Sequence, residues 1–255
     1  MSSHKNSLST RKDIVFWVSI KDVFFISCAY MTNHLNGFAI RRKQLMPLLL
    51  LLQFAPPLMA VSQLFHPSRI QMRWKGADGK PYLYFDAVRK AHPDIRFAMN
   101  AGMFTKAYGP VGLYIENGKE LRPVKISRNQ KVNFGIQPQG VFFIQNGQAA
   151  VASIPCKTTG MTYATQSAPM LVINGKINRN LPQGNLIVRN GVGVRKDGKV
   201  FFAVKWMRFR EFAKFFIDNQ CVNALYLDGG VSEKWEKGDL FATNGGPFGP
   251  MIVAF

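Results

Sequence analysis

The chain has 255 residues, 33 Lys and Arg against 14 Asp and Glu, and a formal net charge of +19. With 47% hydrophobic residues and 21 Phe, it is neither intrinsically disordered nor a basic nucleic-acid tail, since both are poor in large apolar side chains. The length allows one domain or two small ones, and the charge predicts a surface that attracts anions without naming them.

Residues 1–60 carry 7 basic and 2 acidic side chains, a charge of +5. Arg41-Arg42-Lys43 directly precede an apolar core over about residues 45–58, dominated by Leu48 to Leu52, and the small residue Ala60 follows. Positive residues, a short apolar core and a small residue are the layout of a secretory signal. The expectation is a leader over 1–60, cleaved near Ala60, and a protein delivered to the periplasm or secreted. The forty residues ahead of the arginines make a long leader, and Met31 offers a start of ordinary length. The alternative is an uncleaved signal anchor in the inner membrane, the one membrane contact the sequence offers. Pro47, Gln53, Pro56 and Pro57 leave the core short of the roughly 20 clean apolar residues that a spanning helix needs. The earlier apolar stretch from Ile14 to Tyr30 is broken by Lys21 and Asp22.

Residues 61–255 hold 26 basic and 12 acidic residues, so +14 belongs to the body of the chain. Hairpin signals punctuate it: Asp78-Gly79, Asn117-Gly118, Asn146-Gly147, Asn174-Gly175 and Asp197-Gly198 each lie between short apolar or alternating runs. The flanking strands are predicted over Ile70–Lys75, Ile95–Met99, Val111–Glu116, Val141–Gln145, Met170–Ile173, Gly191–Val194, Val200–Val204 and Ala224–Leu227. Two helices are predicted, Tyr84 to Ala91 and Arg210 to Asn219, the second with Phe212, Phe215 and Phe216 on one face. No linker rich in Pro, Gly or Ser divides the body. The expected fold is a single α+β domain over 61–255, with mixed, mainly antiparallel sheets, many hairpins and a few helices.

Beyond the leader, which takes Cys28, the cysteines are Cys156 and Cys221. Their even number permits a disulfide in an exported domain, and two unrelated buried thiols are an equal alternative. His66 and His92 are the remaining histidines, with no CxxC and no EF-hand-type loop, so neither metal nor cofactor is expected.

Polar and glycine residues recur at predicted strand ends. In chain order they read Asn100-Ala101-Gly102-Met103-Phe104, then Pro110, Gly112 and Leu113, then Gly140-Val141-Phe142. Ser167-Ala168-Pro169-Met170-Leu171-Val172 with Asn174-Gly175 follows, then Arg189 to Val194, then Leu227-Asp228-Gly229-Gly230-Val231-Ser232. Each alone is explained as a turn. Together and in this order they resemble the phosphodiester glycosidase domain family, from about Ile95 to the C-terminus. The chain departs from the family pattern at Ala168, at Val231, and at Lys205-Trp206-Met207-Arg208, where many members have an Asp-Gly-Arg element.

The resemblance implies hydrolysis of a bond between a sugar's anomeric carbon and a phosphodiester, with an anionic saccharide or glycosyl-phosphate as substrate. An oxocarbenium-like transition state calls for a carboxylate near the anomeric carbon. Asp228 is the acidic residue within the matched motifs and the first candidate, a turn-capping Asp being the alternative. A phosphate leaving group needs little protonation, so a cation can replace the second carboxylate, and the planar fork of Arg189 suits phosphate. Asn100 could bind sugar hydroxyls. Ser167, Ser232 and the amides of Gly229 and Gly230 could orient the phosphate. Glu116 is a reserve acid beside a hairpin turn, where an exposed Glu is ordinary, and Trp206 or Trp235 could stack on a sugar ring. A non-catalytic carbohydrate- or polyanion-binding module on the same fold is the competing reading. Nucleic acid is not an expected partner, because the chain has no helix-turn-helix, zinc-finger or RNP-like pattern. The oligomeric state is left open.

Overall fold

The structure, a computed structural model, describes residues 62–129, 131–239 and 243–255. The expectations for residues 1–60 therefore lie outside the described residues. The Phe-rich composition is used in several core clusters, one of them where three antiparallel sheets meet.

The largest sheet has six strands in the order β1-β12-β11-β13-β9-β10. These are β1 (Ser62–Phe65), β9 (Met170–Ile173), β10 (Lys176–Ile177), β11 (Ile187–Arg195), β12 (Val200–Met207) and β13 (Cys221–Tyr226). A four-stranded sheet contains β2 (Ile70–Arg73), β3 (Phe97–Asn100), β14 (Lys234–Glu236) and β15 (Met251–Ala254), in the order β14-β3-β15-β2. The third runs β5-β4-β8-β6-β7, from β4 (Tyr114–Glu116), β5 (Lys119–Arg122), β6 (Gly140–Gln145), β7 (Gln148–Ser153) and β8 (Met161–Ser167). Each sheet sends phenylalanine to the junction, with Phe65 of β1 also packing on Phe97 and Phe202. Phe202 of β12 stacks on Phe97 of β3 at 5.5 Å between ring centroids, and meets the edge of Phe142 of β6 at 6.1 Å. Such pairs add packing specificity to the hydrophobic stabilisation of burying three rings. The α+β, mainly antiparallel expectation is met.

The Asn-Gly turns behave as their composition requires. Asn117, Asn146 and Asn174 have φ of 52°, 49° and 49°, and the glycine after each is also positive, the geometry that closes a two-residue hairpin. Two α-helices complete the described residues, α1 (Phe85–Ala91) and α2 (Phe209–Asp218). Helix α2 has Phe209, Phe212, Ala213 and Phe216 buried, a spacing that puts all four on one face. Glu211 accepts from the Arg208 N–H at its start, and Gln220 at φ 65° follows its end.

Several boundaries differ from the sequence expectation. β11 starts at Ile187, four residues before the predicted Gly191, and β12 continues to Met207 past the predicted Val204. The two pair without slippage from Ile187↔Met207 to Val194↔Val200. Arg189 and Asn190 are thus interior strand residues and not part of a strand-end turn. Cys156 and Cys221 are free thiols, as in the non-disulfide alternative. Cys221 is packed among the side chains beneath α2, and burial pushes its thiol up to about 12.

Candidate functional site

The motif residues gather where the ends of β3, β8, β11 and β13 approach one another. Asn100, the last residue of β3, is fully buried. Its Nδ2 donates to the carbonyl of Asp228 at 2.9 Å, and its Oδ1 accepts from the Glu233 N–H at 3.2 Å. One amide therefore holds both ends of the 228–233 segment. Ser232 Oγ donates to the same Asp228 carbonyl at 2.8 Å. From β11, Asn190 Nδ2 donates to the Asn100 carbonyl at 3.0 Å, and the Asn190 carbonyl accepts from the Leu227 N–H. On the β8 side, Thr165 Oγ1 accepts from the Gly102 N–H, and Pro169 accepts from the Tyr226 N–H. Asn100, Asp228 and Ser232 are brought together directly, with Ser167 two residues from Pro169.

Asp228 leads into a one-turn 3₁₀ segment over Gly229–Val231 but makes no side-chain capping bond to it. Its carboxylate nevertheless accepts from the Gly230 N–H, a contact of the kind the turn alternative describes. Burial pushes the Asp228 carboxyl above the usual range, with the Gly230 N–H pulling the other way. Gly229 is required by contact: a Cβ there would lie 1.6 Å from the Tyr226 hydroxyl. Gly230 is exposed and has free space around it.

Arg189 sits on the other face of β11 from Asn190. It is 1% exposed, with Nε on the Met207 carbonyl and Nη2 on the Asn185 carbonyl, both at 2.8 Å. The guanidinium lies 3.7 Å from the Phe209 ring centroid and 5.7 Å from that of Tyr226. Nε and Nη2 each hold a backbone carbonyl and the guanidinium also bears on the Tyr226 hydroxyl, so the fork expected from the sequence to face phosphate is largely engaged within the protein. Burial lowers the Arg189 guanidinium and raises the Tyr226 phenol. Asp228 also acts on Tyr226, so Arg189 adjoins the Asp228 turn through that ring.

Unsatisfied buried groups occur on both faces of the sheet around this seam. Ser167 Oγ, Arg189 Nη1, Asn190 Oδ1 and the Tyr226 hydroxyl are four of the five buried side-chain polar atoms without a hydrogen-bond partner among the described residues. Natural interiors leave few such atoms, and a concentration of them marks a place built for a ligand or ordered water. Three of the four can donate, which suits an anion-bearing ligand. A surface hollow of about 430 Å³, lined by Asn174, Lys196 and Gln220 among others, lies at the opposite end of β13 and holds none of these groups.

Other sequence candidates separate here. Glu116 is not the exposed hairpin Glu that was expected: its side chain is 14% exposed and accepts from the Tyr114 hydroxyl at 2.9 Å. Burial raises its carboxyl, against the pull of Tyr114 and Arg73, and it joins a separate cluster with Arg73. Trp235 is packing, 9% exposed beneath the Arg89 guanidinium at 4.1 Å, whereas Trp206 is 62% exposed. Sequence reasoning missed Asn190, Tyr226 and Glu233. Asn190 and Glu233 stand beside the motif residues Arg189 and Ser232, which was the available signal. Tyr226 is hidden inside an apolar strand. Glu233 reaches the Asn100 anchor through its backbone N–H, while its carboxylate accepts from the Thr243 hydroxyl. Among the described residues no group of three His, Cys, Asp or Glu side chains is placed to hold a metal ion.

Known proteins of similar sequence and fold point to a family. A profile of the phosphodiester glycosidase family matches residues 94–246. The uncharacterized protein YigE of Escherichia coli (strain K12) is 31% identical over 196 residues, 72% of this chain and 76% of the relative. Among solved structures, the catalytic domain of zebrafish N-acetylglucosamine-1-phosphodiester alpha-N-acetylglucosaminidase, auto-inhibited by its pro-peptide, superposes with a TM-score of 0.57 at 15% identity. That match covers 79% of this chain and 84% of the zebrafish one. The family profile spans more than half of the chain and covers the residues joined at Asn100, so this chain belongs to the phosphodiester glycosidase family.

Proposed function

We propose that the protein is an exported hydrolase that cleaves the glycosidic bond of sugar-1-phosphodiesters in envelope or extracellular glycans. The observation that carries this reading is the half-buried Asp228 carboxyl, raised by burial, set beside the buried Tyr226 hydroxyl and, through it, Arg189. Asp228 is the group that meets the developing positive charge at the anomeric carbon, as nucleophile or as base for water. Arg189 and Ser167 Oγ supply donors for phosphate oxygens. Asn100 positions the turn through its two bonds, and Asn190 holds Asn100. The role of Asn100 is therefore assembly, in place of the sugar contact expected from sequence. Export is supported by the layout of Arg41 to Ala60.

The test is incubation with a panel of glycosyl-1-phosphate methyl diesters in both anomeric forms, N-acetylglucosamine among them, with detection of free reducing sugar and methyl phosphate. Turnover by the wild type is expected. Asp228→Asn is expected to lower kcat by about 10²- to 10⁴-fold with binding retained. Binding without turnover by the wild type would establish the non-catalytic module instead. Cleavage that survives in Asp228→Asn and disappears in Glu233→Gln would move the chemistry to the second carboxylate.

A further inference from the structure

Residues 121–196 contain ten Lys and Arg and no Asp or Glu, so most of the positive charge of the body arises in one stretch of chain. The stretch opens with a strap, residues 121–129, that continues from β5 and lies against the third sheet. Its exposure repeats every three residues. Leu121, Val124 and Ser127 are half-buried, and the two residues after each are exposed. Leu121 and Val124 pack onto core clusters, which fixes that side as the inner one. From Pro123 to Arg128 the strap makes no backbone–backbone hydrogen bond among the described residues. A period of three without internal bonds is the pattern of a polyproline II chain, which Pro123 favours. Arg122, Lys125 and Arg128 therefore share one outer row, about 9 Å between neighbours at three residues per turn.

The backbone of this row is clamped from below. The buried Gln166 side chain accepts from the Lys125 N–H at 3.0 Å and donates to the Lys125 carbonyl at 2.6 Å. The buried Gln139 side chain accepts from the Ser127 N–H at 3.1 Å, and Gln137 Nε2 donates to the Ser127 carbonyl at 2.7 Å. Buried amides thus hold an exposed strap in one extended shape, which lowers the ordering cost of any ligand lying along it. The cations themselves are uncommitted. None of the three makes an ion pair or a side-chain hydrogen bond among the described residues, and Glu120, the nearest acid in the chain, does not pair with them. At the β5 end the Arg122 guanidinium lies 5.5 Å and the Lys75 ammonium 4.3 Å from the ring of buried Trp74, so a fourth cation joins the row with no acid between.

We propose that Arg122, Lys125 and Arg128 form a docking row for an extended, phosphate-bearing glycan chain. The row takes charge along a linear polymer, whereas its side chains have no part in the bonds around Asp228. The strap has no aromatic side chain on which bases would stack, which disfavours single-stranded nucleic acid. Ile126 is its one large exposed apolar side chain, too little to enter a bilayer. That the phosphates belong to a glycan rests on the proposed function; affinity of the row for an extended polyanion does not.

The experiment uses the full chain carrying Asp228→Asn, titrated with a fluorescently labelled ten-unit poly(N-acetylglucosamine-1-phosphate). Lys125→Gln combined with Arg128→Gln is expected to weaken the decamer about tenfold and to flatten the salt dependence of its binding. Binding of the one-ring methyl diester of N-acetylglucosamine-1-phosphate is expected to change less than twofold. Lys90→Gln combined with Lys196→Gln removes the same charge from other elements and is expected to weaken the decamer less than twofold. Equal weakening by the two pairs, or none by the strap pair, overturns the row. Tighter binding of ten-residue oligothymidylate or of phosphatidylglycerol vesicles through Lys125 and Arg128 overturns the glycan as its occupant. A protein whose wild type cleaves the methyl diester, and whose decamer binding ignores the strap, has the proposed function without the row. One that binds the decamer through the strap and neither binds nor cleaves the methyl diester has the row without the proposed function.

Discussion

Arg189 is a buried cation whose contacts are carbonyls and aromatic faces, with no carboxylate among them. An uncompensated buried charge costs several kcal/mol, and proteins keep such groups where an anion arrives. Asp228 poses the complementary case. Its carboxyl is raised by burial, so ionising it in the folded protein costs more than in the unfolded chain. The penalty is absent below the ordinary value of 3.8, appears as pH rises toward the folded value, and is complete above it. Asp228→Asn is therefore expected to raise the melting temperature of the protein at pH 7. The gain should vanish near pH 3.5 in thermal melts; an equal gain at both pH values would show that burial of the charge is not the cause. Much of the site was legible at this scale. The motifs marked Asn100, Asp228 and Ser232, because short chain segments carry them. The occupied state of Arg189 was not legible. Asn185 and Met207 come to it only through the pairing of β11 with β12.

At the scale of elements, β11 is a strand with two different faces. Read as sequence, the strand begins only at Gly191, with Arg189 and Asn190 in a turn before it. In the structure, Arg189, Gly191 and Gly193 face α2, while Asn190 and Val192 face the other sheets. The glycines at alternate positions let α2 lie directly on the sheet. A Cβ on Gly193 would stand 2.6 Å from Cys221 Sγ and 2.7 Å from the Phe216 ring. Gly193→Ala is expected to destabilise the domain by about 1–3 kcal/mol in denaturant titration. Loss of less than 0.5 kcal/mol would mean that α2 shifts freely on its sheet. The hairpins and α2 could be read from sequence because turn residues and helical spacing are local. The extent of β11 could not, since its alternation is masked by glycines chosen for the helix above them.

For the whole molecule, a charge of +14 over residues 61–255 adds a long-range attraction for anions to the short-range donors at Asp228. Turnover of an anionic diester is expected to show a kcat/KM that falls severalfold between about 0.02 and 0.2 M salt, with kcat nearly constant, because screening acts on encounter. A salt-independent kcat/KM would confine the effect of charge to the site itself.

The bonds of Asn100 have a consequence in time. It joins residues 90, 128 and 133 positions away, and no local segment of the chain can make the site alone. Contacts of such separation close late, after the hairpins and α2 have formed from near neighbours. On dilution from denaturant, recovery of diester cleavage should therefore lag recovery of the helical signal. Simultaneous recovery would show that the seam at Asn100 assembles with the first collapse.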